Sequence, residues 1–364
     1  MGLLLPGDRK SIQPISARVA PEDFPQLHHF VAASNWDAAP LEEVLCQKVD
    51  EMLGGPDSYL IIDDTGLPKK GDESVGVAHQ YCGALGKQAN CQVLVSLTLA
   101  CADVHAPIGL RLYLPAVWAK DKRRRKKARI PDSVAYQPKW KIALHEIDRV
   151  ARAGARFGAV LADAGYGTCA EFRNGLTARG FSWGVGILST QNMYTTAVET
   201  ATKQHEFGRG RPRTRAQADE SPCAAKAFID AHATFRSVTW RKGTKGPLSG
   251  DFAIVRVRPA DAAETKDRVH LPGDEAWLVC ERLSNGDRKY YLVSLPASAT
   301  KVQVVAAIKA RWACEQMHQQ TKEELGLDHF EGRSWIGLHH HALLTMIAFA
   351  FLLKIRTDQN IPTA

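Results

Sequence analysis

The segment Tyr59-Leu-Ile-Ile-Asp-Asp64 is apolar at consecutive rather than alternate positions, and then turns acidic. Successive side chains of an extended chain point to opposite faces. A run apolar at every position is therefore buried on both faces of its sheet, and other elements must cover both sides. That requirement excludes a one-sided antiparallel sheet and points to a layered α/β fold. The rest of the pattern agrees. Cys91 to Leu99 and Leu110 to Leu114 read as two further strands, and Trp140 to Ala153 has helical spacing through Ile142, Leu144, Ile147 and Val150. Phe157 to Leu161 reads as a short strand ending at Asp163, followed by a helix around Ala170 to Ala178 and a strand at Trp183 to Ile187.

From about Gln191 to Ala224 the pattern breaks into Arg, Gly and Pro, and a β-rich stretch follows: Phe235 to Trp240, Phe252 to Val257, Trp277 to Arg282 and Lys289 to Leu295. Helical pattern resumes near Lys301 and, with a loop near Gly332, runs to Lys354. Ahead of the first strand, short helical patterns mix with turn residues and end in an amphipathic stretch, Leu41 to Leu53, closed by Gly54-Gly55-Pro56. The expected division is a helical segment 1–57, the first part of an α/β core 58–190, a β-rich insertion 191–299, and C-terminal helices 300–364 that complete the core.

A chain of 364 residues supports one large domain or two closely associated ones. Lys and Arg outnumber Asp and Glu by 47 to 39, a mild bias toward a polyanionic partner that decides nothing alone. Eight cysteines without a C-x-x-C pair exclude a zinc ribbon or a dithiol redox motif, and read as buried thiols of a reducing compartment. The Leu3-Leu4-Leu5 run stops at Pro6, too short for a signal peptide. Ala342 to Leu353, the longest apolar stretch, falls short of the roughly 20 residues that span a bilayer. The expectation is a soluble, cytoplasmic protein with no membrane partner.

Acids inside apolar strands demand a reason, because a buried unpaired carboxylate is costly. Asp63 and Asp64 end one apolar run and Asp163 ends another; the plain reading of each is a cap on the following loop. Further on, Arg311, Glu315 and Lys322 are spaced to share one helix face, which equally describes a solvated Arg–Glu pair. The functional reading joins them: three gathered carboxylates repel one another unless a divalent cation is present, and Mg²⁺ suits phosphate chemistry. Two such ions stabilise the attacking and leaving oxygens of an in-line displacement, with Arg311 and Lys322 beside the acid to hold phosphates.

These residues carry a family resemblance. The stretch Ile62-Asp-Asp-Thr-Gly-Leu-Pro-Lys-Lys70 and its continuation to Lys87 is similar to the first-aspartate block of insertion-sequence 701 family transposases, members of the DDE superfamily. Leu161-Ala-Asp-Ala-Gly-Tyr-Gly167 resembles the second-aspartate block, and Arg311-Trp-Ala-Cys-Glu-Gln-Met-His-Gln-Gln-Thr-Lys322 the glutamate block. Gly326 to Trp335 continues the likeness. The resemblance implies an α/β, ribonuclease-H-like mixed-sheet core interrupted by the β-rich insertion. It implies catalytic and metal-binding roles for Asp64, Asp163 and Glu315 with two Mg²⁺ (or Mn²⁺) ions. Asp64 is matched because it directly precedes Thr65; periodicity leaves Asp63 and Asp64 open. The Tyr that precedes the Arg by three residues in the wider signature is Ile308 here. Relatives carry further helical sequence ahead of this start, so 1–57 is expected to be an incomplete DNA-binding region.

The implied activity is hydrolysis at element ends and strand transfer into target DNA. The implied partners are double-stranded DNA (terminal inverted repeats and target) and a second copy in a synaptic homodimer. The protein is then cytoplasmic and nucleoid-associated in a bacterium. The alternatives are a truncated or domesticated chain that only binds DNA, and a non-transposing nuclease on the same fold. Candidate DNA contacts are Arg311, Lys322, Lys69 of the first block, and the basic run Lys120 to Arg129, chiefly Lys122, Arg123, Arg124 and Arg125. Weaker candidates are Arg209, Arg211, Arg213 and Arg215 in a Gly/Pro-rich stretch, and Trp240 beside Arg241 and Lys242. For Trp240, packing inside the β-rich region is an equal reading. His339, His340 and His341 diverge around a helix and read as the polar start of a core helix.

Overall fold

The computed structural model describes residues 1–202, 216–243, 246–264 and 270–359. They form two compact units, one built from 1–158 with 310–364 and the other from 159–309. Arg209 to Arg215, the Gly/Pro-rich basic candidate, lies outside the described residues.

The first unit is built on strand β1 (Gly55–Pro68), antiparallel to the long strand β3 (Lys87–Cys101), which in turn pairs with β2 (Ala78–Cys82) at its start and β4 (Val104–Leu112) along the rest. Leu60, Ile61 and Ile62 are all fully buried, as their consecutive apolar pattern requires, and each contributes roughly 1.5–3 kcal/mol. Helices Ala39–Leu53 and Lys139–Arg152 pack on β3 and β4, and Ala313–Glu323 packs on β1, β3 and β4. A charge network ties the first two helices to β4. Arg111 donates to Glu146 (3.0 Å) and Glu42 (3.1 Å), and Arg149 to Glu146 (2.9 Å). Glu146 is largely buried, and the two guanidiniums hold its carboxyl below the usual carboxylate range against the opposing effect of burial.

β1 starts earlier than the Gly54-Gly55-Pro56 turn signal implies. Only Gly54 ends the helix; Gly55 N–H already donates to Arg156 O, and Gly158 lets the Pro56 carbonyl approach closely, where a Cβ would sit 2.0 Å away. The last helix, Trp335–Asp358, also corrects an expectation: by length and composition it could cross a bilayer. It is a core helix, because 67% of its apolar window is buried and it packs on β4 and the Ala39–Leu53 helix.

In the second unit, β5 (Phe157–Ala162) pairs in parallel with β6 (Trp183–Ile187) across the crossover helix Ala170–Ala178. The four antiparallel strands of the first unit and the helix-linked parallel pair of the second make this a mixed α/β protein. The β-rich stretch continues the sheet that β5 and β6 begin: Arg288–Val293 pairs with β6, Ala276–Arg282 with Arg288–Val293, and the long strand Gly246–Glu264 with Ala276–Arg282. Val304, Val305 and Ile308 of the helix Lys301–Ala310 pack on this sheet against Phe252, Val279 and Val293. Ile308 is therefore a core residue.

Candidate active site

Asp63 and Asp64 sit in mid-strand on β1, opposite Ser96 and Val95 of β3, and their side chains meet different partners. Asp63 faces the Ala313–Glu323 helix. Its Oδ2 accepts from Arg311 Nη1 (2.9 Å) and from the Cys314 thiol (3.0 Å), and its Oδ1 from the Asp64 amide (2.8 Å). Burial pushes the Asp63 carboxyl upward against the pull of Arg311, and burial together with Asp63 pushes the Cys314 thiol up strongly. Asp64 instead accepts from Lys139 Nζ at 2.5 Å, with the two side chains 30% and 32% exposed against 16% for Asp63.

The spacing of Arg311, Glu315 and Lys322 implied one helix, and here the structure corrects the reading. Helices Lys301–Ala310 and Ala313–Glu323 are separated by a turn at Arg311 and Trp312. Trp312 keeps helical backbone angles, so Arg311 Nη2 still reaches Glu315 Oε1 at 2.9 Å. Arg311 thereby bridges Asp63 and Glu315. One turn on, His318 shares a 2.7 Å hydrogen bond with Ser96 Oγ, whose hydroxyl donates to Asp63 O. Burial, reinforced by Lys322 and Arg311, lowers this imidazole to about 3, so it is neutral at physiological pH. Lys322 lies two turns beyond Glu315, and burial lowers its ammonium against the field of Asp328. Cys314, Ser96, His318 and Lys139 escape sequence reasoning, since each acts through a residue distant in the chain. The exposed indole of Trp312 was legible only as part of the glutamate block.

Asp163 belongs to the second unit. It caps the short helical turn Ala164–Gly167, accepting from Tyr166 N–H (3.3 Å), as the loop-cap reading has it. Gly167 and Gly186 let this turn lie directly on β6: a Cβ on Gly167 would meet Gly186 O at 2.0 Å, and one on Gly186 would meet Ala164 N at 2.8 Å. Arg173, fully buried, donates to Gly167 O and pairs with Asp261 (3.1 Å), fixing the turn from behind.

Of the expected DNA contacts, several are engaged inside the fold. Arg124 stacks on Trp118 (3.8 Å) and donates to Asp72 O, Arg125 donates to Val134 O and Pro131 O, and Lys69 donates to Phe330 O (2.8 Å). Burial lowers the Lys69 ammonium. Lys122 and Arg123 are exposed at the start of the helix Lys122–Ala128, whose N-terminus Asp121 caps, and Lys242 is exposed in the second unit. Trp240 packs edge-on against Phe252 (5.8 Å) with Lys309 over its ring (5.0 Å), as the packing reading has it. His339, His340 and His341 bond separately to Trp335 O, Val31 O and Gly326 O and share no site.

Among the described residues no three His, Cys, Asp or Glu side chains are gathered as a metal-binding group. The donors nevertheless suit a hard divalent cation in kind. Asp64 and Glu315 are carboxylates, and each already holds a positive group, the Lys139 ammonium and the Arg311 guanidinium. Carboxylates are also the ligands that hold the divalent ions of phosphodiester-cleaving enzymes. The chain belongs to the family described as DDE superfamily endonuclease, whose profile matches residues 1–247, and that superfamily generally uses divalent metal ions. It is 31% identical over 198 residues to a probable transposase for insertion sequence element IS701 from Microchaete diplosiphon, a match covering 54% of this chain and 48% of that relative. The chain thus spans about half the length of the curated relative it matches. Among solved structures, it is similar to a piggyBac transposase in a synaptic complex with hairpin DNA. That likeness has a TM-score of 0.43 and 10% identity, and covers 100% of this chain and 66% of the other.

Proposed function

We propose that this chain carries the catalytic core of a DNA transposase that hydrolyses phosphodiesters at element ends and joins the freed 3′-hydroxyl to target DNA. The observation that carries the reading is the pairing of strand-borne Asp64 and helix-borne Glu315 with basic side chains in one unit, in a chain of the DDE endonuclease family. Asp64, Asp163 and Glu315 are the proposed metal ligands. Bound there, Mg²⁺ or Mn²⁺, two ions in this reading, would supply charge neutralisation at the attacking and leaving oxygens. Asp64 is preferred over Asp63 as the first ligand because Asp63 is enclosed by a guanidinium, a thiol and a backbone amide, whereas Asp64 is more open.

The chain's own residues do the rest. Asp63 orients Arg311, Arg311 orients Glu315, and the His318–Ser96 bond holds the Glu315 helix to β3. Lys122 and Arg123 neutralise DNA backbone outside the site, in a salt-dependent and sequence-independent way. The proposed partners are double-stranded DNA and a second copy of the chain in the synaptic assembly, in a cytoplasmic, nucleoid-associated setting. Alanine at Asp64, Asp163 or Glu315 is expected to abolish Mn²⁺-dependent cleavage of an element-end duplex while leaving gel-shift affinity within about threefold. Cleavage surviving one of these changes removes that residue from the set, and loss in Asp63→Asn with survival in Asp64→Ala would move the role to Asp63. In the same assay, cutting without joining identifies a nuclease. Specific binding without nicking identifies a DNA-binding protein.

A further inference from the structure

Lys139 is the first residue of its helix, a poor position for a cation, because the unpaired amides of a helix N-terminus already carry partial positive charge. No acid stands in that first turn to offset it. The compensation comes from another element: Asp64 Oδ2 lies 2.5 Å from Lys139 Nζ. The ammonium also lies 5.5 Å from the centre of the Tyr113 ring, whose phenol burial, Tyr136 and Asp64 together push up to about 12. The Lys139 side chain is about one-third exposed, so it can leave the carboxylate without first being dug out of the core. Arg311, by contrast, is held at once by Asp63 and Glu315.

We infer that Lys139 is an exchangeable counter-ion of Asp64: it occupies the carboxylate in the metal-free protein, yields it to the divalent cation, and then turns to a DNA phosphate. The inference rests on the reading of Asp64 as a metal ligand. No covalent bond is made or broken in the exchange: one ion pair (ammonium–carboxylate) is replaced by two (metal–carboxylate and ammonium–phosphate). An intrinsic counter-ion keeps the Asp64 carboxylate from being left bare before DNA and metal arrive. It also links metal binding to DNA binding through one side chain.

The test compares wild type with Lys139→Met, Lys139→Arg and Asp64→Asn, each checked for native circular dichroism. Mn²⁺ affinity is read by calorimetry without DNA. Binding to a short blunt duplex of arbitrary sequence is read across a salt series in Ca²⁺ and in EDTA. Lys139→Met is expected to bind Mn²⁺ about three- to fivefold more tightly, the scale of a partly exposed ion pair, while Lys139→Arg stays close to wild type. In Ca²⁺ the salt slope of Lys139→Met should be shallower than that of wild type by about 0.9, one phosphate contact, and in EDTA the two slopes should coincide. Equal slopes in both media, or the same difference in both, overturn the exchange even if Asp64→Asn loses Mn²⁺. An Asp64→Asn variant that binds Mn²⁺ like wild type overturns the metal reading of Asp64 itself, and the exchange with it.

Discussion

Two neighbouring aspartates on β1 have different surroundings, and their removal should have unequal consequences. Taking away the Asp63 carboxylate strips the acceptor from Arg311 and Cys314 in a largely enclosed pocket, and breaking such a pair is expensive because the partner is left desolvated. Asp64 shares a more open pair with Lys139, of the kind worth at most about 1 kcal/mol. Asp63→Ala should therefore lower unfolding stability by about 2–3 kcal/mol, and Asp64→Ala by no more than about 1 kcal/mol, in urea melts of the metal-free protein. The reverse order would show that Asp63 is not the anchor of the glutamate helix. Pattern alone could not separate these residues. Alternation says that they face apart, but which face receives the glutamate helix is set by contacts some 250 positions away along the chain, Asp63 with Arg311 and Cys314.

At the scale of elements, the Arg111 network fixes two helices to β4 with little solvent to screen it. Arg111→Met should cost about 3 kcal/mol, because Glu42 and Glu146 would be left with Arg149 as their remaining cation. Urea melts check this, and a loss under about 1 kcal/mol would mean the carboxylates find other compensation. Elements with a strong local signal were legible. The consecutive apolar residues of β1, the strand at Trp183–Ile187 and the 3.6-residue spacing of Lys139–Arg152 all fall where the sequence places them. Ala78–Cys82 was not legible, since an edge strand carrying His79, Gln80 and Tyr81 has neither continuous apolarity nor clean burial. The break at Arg311 and Trp312 was hidden as well, because both residues are compatible with helix and the preceding Ile308 packs as a helical core residue should.

For the molecule as a whole, buried neutral histidines set an acid limit. Burial lowers His339 to about 3 and His341 to about 4, against an ordinary value near 6.5. Above pH 6.5 neither state binds the proton. Below it only the unfolded chain does, so stability falls with decreasing pH until the folded values are reached, by up to about 1.4 kcal/mol per unit for each residue. Urea midpoints should accordingly drop between pH 7 and pH 5 and recover part of the loss in His339→Gln; a flat profile would refute the assignment. The division into units has a further consequence, in the order of synthesis. Residues 159–309 are contiguous and leave the ribosome as a complete unit, whereas the first unit waits for 310–364 to supply the core helix Trp335–Asp358 and the helix bearing Glu315. A nascent chain that stalls before that point carries both aspartate blocks but neither the glutamate nor the helix that buries the sheet. On the function proposed above, cleavage therefore waits for the synthesis of residues 310–364.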